Sequence, residues 1–238
     1  MDLMTSRRNI IQAAANSGPT LKYWLDGNDA PVNGKWIEKK TGLEFVLING
    51  ASYDSENKMY LFEANNKYAM CNSNINTINF ALGNHFIITF DLYINYSLSA
   101  GSTCFFDIGS VTGAERAIGF NIGLIDINNT GKSYVSNYKM FGNSNNPFEA
   151  ILDPFQITPR NDYVHIIGSH TVIDGGDGYD RWVSVVNGQS YYFNTQLTKT
   201  YYGPTWQSAI LNISVGGGVT SGYGPACRIK DIKIYTID

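Results

Sequence analysis

Apolar and polar residues alternate along most of the chain, and this period of two predicts β-strands. The clearest case spans residues 85–94, in which every second side chain is large and apolar: Phe86, Ile88, Phe90, Leu92 and Ile94. The side chains between them are mixed in polarity. One face of this strand is therefore expected to join a core, and the other to be partly solvated, as in one sheet of a sandwich. Residues 117–125 repeat the pattern, with Gly and Asn on the second face.

A hairpin is predicted in the middle of the chain. Residues 163–172 are rich in β-branched side chains, and a turn cluster of Asp and Gly follows at 174–178. A second strand runs from Arg181 to Val186, and Asn187-Gly188 leads into a third strand, residues 190–193. Asn-Gly between two such runs indicates a type I′ turn, because that turn needs φ > 0 at both central residues.

Four further strands are predicted at 21–25, 44–48, 211–215 and 228–237. In the last of these, Ile229 is out of phase with Ile232 and Ile234. A β-bulge inserts one residue and shifts the alternation, so the sequence predicts a bulge near Lys230-Asp231.

The first 19 residues differ from the rest of the chain. Thr5 or Ser6 can cap a short helix, and Gly18-Pro19 would end it. About a dozen residues make a marginal helix in water, so this arm is expected to dock on its own domain or on a partner. Residues 20–238 show no linker, and their many short strands predict one antiparallel two-sheet β-sandwich or jelly roll. The longest stretch expected to be irregular is 127–149, rich in Asn, Ser, Gly and Lys. A loop of that length is usually functional or divided further.

Composition narrows the range of functions. Apolar residues are 43% of the 238, charged residues are 16%, and the net charge is -3. A large core with neutral polar loops fits these values, whereas a nucleic-acid partner does not, since no basic run occurs. Membrane insertion is not expected, because no apolar run approaches the length of a spanning helix. The three cysteines fit no zinc pattern and are interpreted as buried apolar residues. No signal peptide is recognised, which predicts synthesis in the cytoplasm and leaves export by another route or release by lysis open.

Catalytic patterns are largely missing from the sequence. Glycosidases of β-sandwich type place several carboxylates on one strand face, but Asp91 stands alone in its strand. Neither a complete P-loop nor a Gly-x-Ser-x-Gly elbow occurs. His165 could act as a base, although a hydrogen-bonded structural histidine is the simpler interpretation. We therefore expect no enzyme and no cofactor.

Two kinds of ligand contact are predicted in the Gly-rich turns. The spacing of Asp174, Asp177 and Asp180 leaves a Ca²⁺ site open, since Ca²⁺ takes carboxylate and carbonyl oxygens, but Asp is also an ordinary turn residue. Aromatic loops are the stronger candidates, because exposed rings beside polar groups suit sugars. The predicted ligand-binding residues are Tyr179, Arg181, Trp182, Tyr201, Tyr202, Trp206 and Tyr223. The alternative is that these rings only pack at the rim of the fold.

The order of several short motifs resembles the concanavalin A-like jelly rolls, and within them the laminin G-like domains. The matching segments are Trp24-Leu25-Asp26-Gly27, the long strand 86–94, Tyr163-Val164-His165, Val186-Asn187-Gly188, and the final run from Ile229 to Tyr235. They span about residues 21–235. The chain departs from the family at Tyr163, where a Trp is usual. Behind its leader, the domain is also similar to structural or adhesion proteins of gut bacteria and their phages.

The resemblance and the aromatic loops together predict a non-catalytic, lectin-like carbohydrate-binding or adhesion module. It would act on a virion, as a phage fibre or decoration protein, or on a bacterial surface. Its expected partners are a glycan or cell-surface receptor and, through the arm, other virion or surface proteins, with a homo-oligomer left open. The alternatives are a purely structural virion or assembly protein without a glycan ligand, and a glycoside hydrolase.

Overall fold

The computed structural model describes twelve stretches of the chain. They are residues 18–63, 66–71, 86–95, 103–109, 119–126, 133–141, 148–151, 156–157, 163–174, 179–198, 212–215 and 226–237. Within these stretches the regular structure is entirely β, with seventeen strands and no helix. No helix in the described residues has the length and apolar character needed to cross a membrane. Residues 1–17, which carry most of the predicted helical arm, lie outside the described part.

The strands form two antiparallel sheets. Sheet A has eight strands in the order β15-β14-β13-β7-β17-β5-β4, and β1 lies beside β17. Its strands are β1 Thr20–Asp26, β4 Ser52–Asp54, β5 Met59–Phe62, β7 Phe86–Asn95, β13 Val164–Asp174, β14 Tyr179–Val186, β15 Gln189–Thr198 and β17 Ala226–Thr236. Sheet B has nine strands in the order β11-β10-β9-β8-β16-β6-β3-β2, and β12 lies beside β10. Its strands are β2 Lys35–Ile37, β3 Glu44–Ile48, β6 Tyr68–Cys71, β8 Thr103–Gly109, β9 Gly119–Asp126, β10 Ser133–Phe141, β11 Phe148–Ile151, β12 Gln156–Ile157 and β16 Asn212–Val215.

Side chains from both sheets meet in a buried core between them. The apolar face of β7 is buried along its length, as its alternation predicted, and Cys227, Ile229, Ile232 and Ile234 of β17 are buried beside it. From sheet B, the Trp36 ring stacks on the ring of Tyr60 in sheet A, with ring centroids 3.9 Å apart and planes 16° apart. This arrangement confirms the predicted all-β, two-sheet antiparallel class.

The central hairpin and the bulge are both confirmed. Asn187 and Gly188 have φ values of 47° and 80°, as a type I′ turn requires, and β14 pairs with β15 across them. In β17 the register to β7 shifts between Ile229 and Asp231, which places the extra residue at Lys230. The bulge restores the inward alternation, so that Ile229 and Ile232 both reach the core.

The stretch 127–149 is not a single irregular loop, and this prediction was wrong. It contains β10, which pairs with β9 on one side and with β11 and β12 on the other. Polar Ser, Asn and Lys are mixed with strand-forming Tyr and Val in β10 without strict alternation, and the register shifts between Val135 and Asn137, so no period of two could be read from the sequence. Trp36, in the short strand β2, is fully buried.

Two of the three cysteines behave as the sequence predicted. Cys71 and Cys227 are buried and free. Burial raises the pKa of the Cys71 thiol to about 11 and that of Cys227 further still, so both stay protonated as small apolar side chains. Cys104 lies in β8, where the structure describes the backbone.

Candidate functional site

Five of the predicted site residues lie in strands at one end of the β13–β14–β15 part of sheet A: Asp174, Tyr179, Asp180, Arg181 and Trp182. Asp174 ends β13 and lies directly opposite Asp180 of β14. Tyr179, at the start of β14, lies opposite Thr198 at the end of β15. The ends of the three strands are therefore neighbours, and we call this region the hairpin end. The other predicted residues lie outside the described stretches: Asp177, Tyr201, Tyr202, Trp206 and Tyr223.

Sheet A has a core-side face and an opposite, more exposed face. Ile166 of β13 is fully buried, whereas its neighbours His165 and Ile167 are exposed. Because side chains alternate along a strand, Ile166 marks the core-side face of β13, and His165 and Ile167 mark the opposite one. In the register of β13 and β14, Val172 pairs with Trp182 and Ile173 with Arg181.

We call the opposite surface of sheet A the open face. It carries three clusters, and each cluster contains one carboxylate, one aromatic ring and either a cation or an imidazole. It is formed by the half-exposed and exposed side chains of five elements. The members of its clusters are Trp24, Glu63, Asp91, Tyr93, Tyr163, His165, Arg228, Asp231 and Lys233.

The first cluster centres on His165. Its Nε2 lies 2.7 Å from Oδ1 of Asp91, and its ring stacks on Tyr93 with centroids 4.4 Å apart. Both contacts follow from pairing, because His165 is opposite Tyr93 in the register of β13 and β7. The His165 side chain remains 42% exposed, so this pair is a surface contact.

The second cluster joins three elements at the edge of the same face. Arg228 Nε donates to Glu63 Oε1 at 2.7 Å, and its guanidinium carbon lies 3.9 Å from the centre of the Tyr163 ring. Burial, together with the nearby Glu63 charge, raises the pKa of the Tyr163 phenol, which therefore stays neutral. Arg228 is thus held in place by an acid and a ring.

The third cluster surrounds Trp24 of β1. Its indole Nε1 donates to Asp231 Oδ1 at 2.6 Å, and Lys233 donates to Oδ2 of the same carboxylate at 2.6 Å. The ammonium groups of Lys39 and Lys233 lie 4.4 and 4.8 Å from the indole centre. Two cations thus occupy the surroundings of this ring, and a sugar could stack on it only by displacing them.

Sequence reasoning missed the open face because its members come from distant strands. Asp91 and Asp231 lie directly opposite each other in the pairing of β7 and β17. Opposed carboxylates repel, and His165 and Lys233 are the partners that offset this repulsion. The sequence feature that could have indicated this face is the pair Asp91 and Tyr93, which interrupts the largely apolar strand β7. Among the described residues, no group of three possible metal ligands comes together.

The Trp24-Leu25-Asp26-Gly27 motif supports the open face from one corner. Asp26 is buried and accepts hydrogen bonds from Lys39 Nζ, Asn28 N and Asn28 Nδ2. Burial by itself would raise the pKa of Asp26, but the bonds from Lys39 and Asn28 outweigh it and hold the pKa below its ordinary value. Lys39 is thereby fixed beside Trp24.

Comparison with known proteins relates the chain to all-β folds. No protein-family model matches the sequence, and no curated protein is significantly similar to it. The Emp47p carbohydrate recognition domain has a TM-score of 0.53 and 9% identity, over 91% of this chain and 97% of that domain. Trypanosoma rangeli sialidase in complex with sialic acid has a TM-score of 0.55 and 14% identity, over 98% of this chain and 35% of the sialidase. A mutant of that sialidase displaying trans-sialidase activity matches with a TM-score of 0.55 and 13% identity over the same shares. The chain therefore spans about a third of the sialidases. At these identities the likeness defines only the class of fold, an all-β sandwich.

Proposed function

We propose that this protein is a non-catalytic carbohydrate-binding module of laminin G-like type. The observation that carries the proposal is the match to the Emp47p carbohydrate recognition domain, which extends over nearly all of both chains. A shared sandwich does not by itself imply a shared ligand, so the proposal also needs a site on this chain.

The hairpin end is the site we propose. Binding groups on β-sandwiches commonly sit in loops held by rigid strands, and the register of β13, β14 and β15 brings the ends of these strands to one edge. The sequence next to these ends carries aromatic residues, in the first half of β14 and in residues 201–206. The open face is less suited to stacking, since its rings already contact a cation or another ring. Trp206 and Tyr202 would provide the stacking surface, and Asp177 and Asp180 would accept hydrogen bonds from sugar hydroxyl groups.

Placement on a virion or bacterial surface is part of the same proposal. The first 19 residues would attach the sandwich to a particle, or to other copies, while the sandwich presents the hairpin end. Deleting residues 1–19 should leave the melting temperature nearly unchanged and reduce assembly. A large fall in melting temperature with assembly intact would show instead that the arm belongs to the core.

A glycan array tests the binding proposal. The chain should bind a defined set of glycans, and the double variant Trp206→Ala/Tyr202→Ala should lose that binding with an unchanged circular dichroism spectrum. Tyr163→Ala, on the open face, is the matched control and should bind as the unmodified chain does. If the double variant binds normally, the hairpin end is not the site. If the unmodified chain binds no glycan, the function is wrong.

Absence of catalysis is the remaining part of the proposal. Asp91 and Asp231 are each held by a cationic or imidazole partner on an open sheet surface. Substituting Asp91→Asn is expected to change stability and no turnover rate. Hydrolysis of a polysaccharide by the unmodified chain, lost in Asp91→Asn, would contradict this and favour a glycoside hydrolase.

A further inference from the structure

The ends of the two sheets differ in how well they are protected against pairing with another strand. A free edge presents unpaired N–H and C=O groups, and proteins usually blunt it with short strands, charges, bulges or covering segments. Three ends follow this rule. β4 has three residues and ends in Asp54, β2 has three and begins with Lys35, and β11 has four and contains Glu149.

Covering segments add protection at β2 and also protect β1. The backbone of Val32 forms two hydrogen bonds with Lys35, so the chain folds back over β2. Beside β1, the amide of Trp24 donates to the Glu38 carboxylate, and Lys39 N donates to the Trp24 carbonyl at 2.9 Å. One residue in each of these strands, Lys35 in β2 and Trp24 in β1, therefore already has partners for its outer hydrogen-bonding groups.

Strand β15 is less protected. A bulge interrupts it between Phe193 and Leu197, but the half before the bulge, Gln189–Phe193, pairs regularly with β14. The whole strand is ten residues long and reads QSYYFNTQLT, with no charge, proline or glycine. Across the part of the chain that the structure describes, β15 pairs with β14 and has no strand on its outer side. Three consecutive aromatic residues, Tyr191, Tyr192 and Phe193, lie in its regularly paired half. Such a strand is well suited to pair with another one.

We propose that β15 is a dimerisation edge, and that its partner is β15 of a second copy of this chain. Antiparallel pairing of one edge with itself is a closed two-fold contact, and a strand without charges does not repel its own copy. A two-fold axis at Tyr192 places Tyr191 of each copy opposite Phe193 of the other, and Ser190 opposite Asn194. Aromatic residues thus face aromatic residues, and polar residues face polar ones. The pair forms one continuous sheet from the eight strands of each copy.

The register identifies a substitution that leaves the core alone. Thr171, Val183 and Tyr192 lie opposite one another across β13, β14 and β15. Thr171, at the inner end of this row, is half-exposed. Across the proposed axis the two copies of residue 192 are direct neighbours, about 5 Å apart at Cβ.

A charge exchange at residue 192 tests the proposal. In sedimentation velocity at micromolar concentration, the full chain should have twice its monomer mass of 26.4 kDa. Tyr192→Lys and Tyr192→Asp should each sediment as monomers, and an equal mixture of the two should recover the dimer. Thr171→Lys, two strands inward in the same row, is the control and should remain dimeric.

Each other outcome overturns the proposal. A monomeric unmodified chain would mean that no such edge contact forms. Dimers that persist in both single variants would place the interface elsewhere. Monomeric variants that do not recover the dimer on mixing would show that the substitution harms the fold and not a paired edge.

Discussion

At the scale of single residues, the corner that holds Trp24 depends on one glycine. A Cβ added to Gly27 would lie 2.5 Å from the Lys230 carbonyl oxygen and 2.6 Å from that of Lys58. Both atoms are backbone, and Gly27 N donates to the same Lys230 carbonyl at 2.8 Å. The bulge in β17 and the end of β1 are therefore locked together at a distance that only glycine permits.

Gly27→Ala is accordingly expected to destabilise the fold by about 3 kcal/mol, because overpacking against backbone cannot be relieved by a rotamer change. Gly18→Ala is the control, since nothing lies within 4 Å of its added Cβ. Chemical denaturation of the two variants measures the difference. Equal midpoints for both would contradict the close approach of Gly27 to the bulge.

Asp26 makes the fold sensitive to acid. Its interactions hold its pKa below the ordinary value, so the folded state binds its proton less readily than the unfolded chain does. The resulting stabilisation is present above the unfolded pKa of about 4 and is lost as pH falls through the folded value.

Asp26→Asn should therefore cost about 2 kcal/mol at neutral pH and progressively less below pH ~4. Asp29→Asn, which loses a longer 3.2 Å contact with Lys39 from a half-exposed position, should cost much less. Melting temperatures of both variants across this pH range measure the effect. A constant difference between Asp26→Asn and the unmodified chain would contradict the assigned pKa shift.

At the scale of elements, the period of two located the longer strands, and turn chemistry located the central hairpin. Strand β7 and the bulge in β17 could be predicted because long runs of alternating residues carry a readable phase. Strands such as β2 and β4 have three residues, too few for a period to be recognised. The sequence also could not show which strands pair with one another. Trp24 and Asp231 are 207 positions apart, and only the sheet order brings them into contact.

The Asn187-Gly188 turn also bonds to β13 one residue beyond Gly168 and Val186, the last paired residues of β13 and β14. Asn187 Oδ1 accepts a hydrogen bond from Ile167 N at 2.9 Å, and Asn187 N donates to Ile167 O at 2.8 Å. Asn187→Gly keeps the positive φ and loses the side-chain bond, so it should cost about 1 kcal/mol. Asn187→Ala adds the strain of a left-handed backbone and should cost about 1 kcal/mol more. Thermal unfolding that gives equal losses for both would show that the backbone conformation contributes nothing.

At the scale of the whole molecule, the two surfaces of sheet A have different characters. The open face is a network of paired charges and rings, in which each contact is partly solvated and adds little stability alone. At the hairpin end, β13, β14 and β15 stop side by side. The fold class could be predicted from the sequence, and the strand order is given by the pairing in the structure. The ligand depends on loop chemistry, which a shared sandwich does not determine.

The most direct test of glycan binding at the hairpin end uses the four tryptophans, which give separate indole N–H signals in nitrogen-15 NMR spectra. A glycan identified on the array would be titrated into the labelled chain. The account predicts that the Trp206 signal shifts in a saturable way. The signals of Trp36, buried in the core, and Trp24, bonded to Asp231, should stay in place. A saturable shift of Trp24 with Trp206 unchanged would contradict the account and place the ligand on the open face.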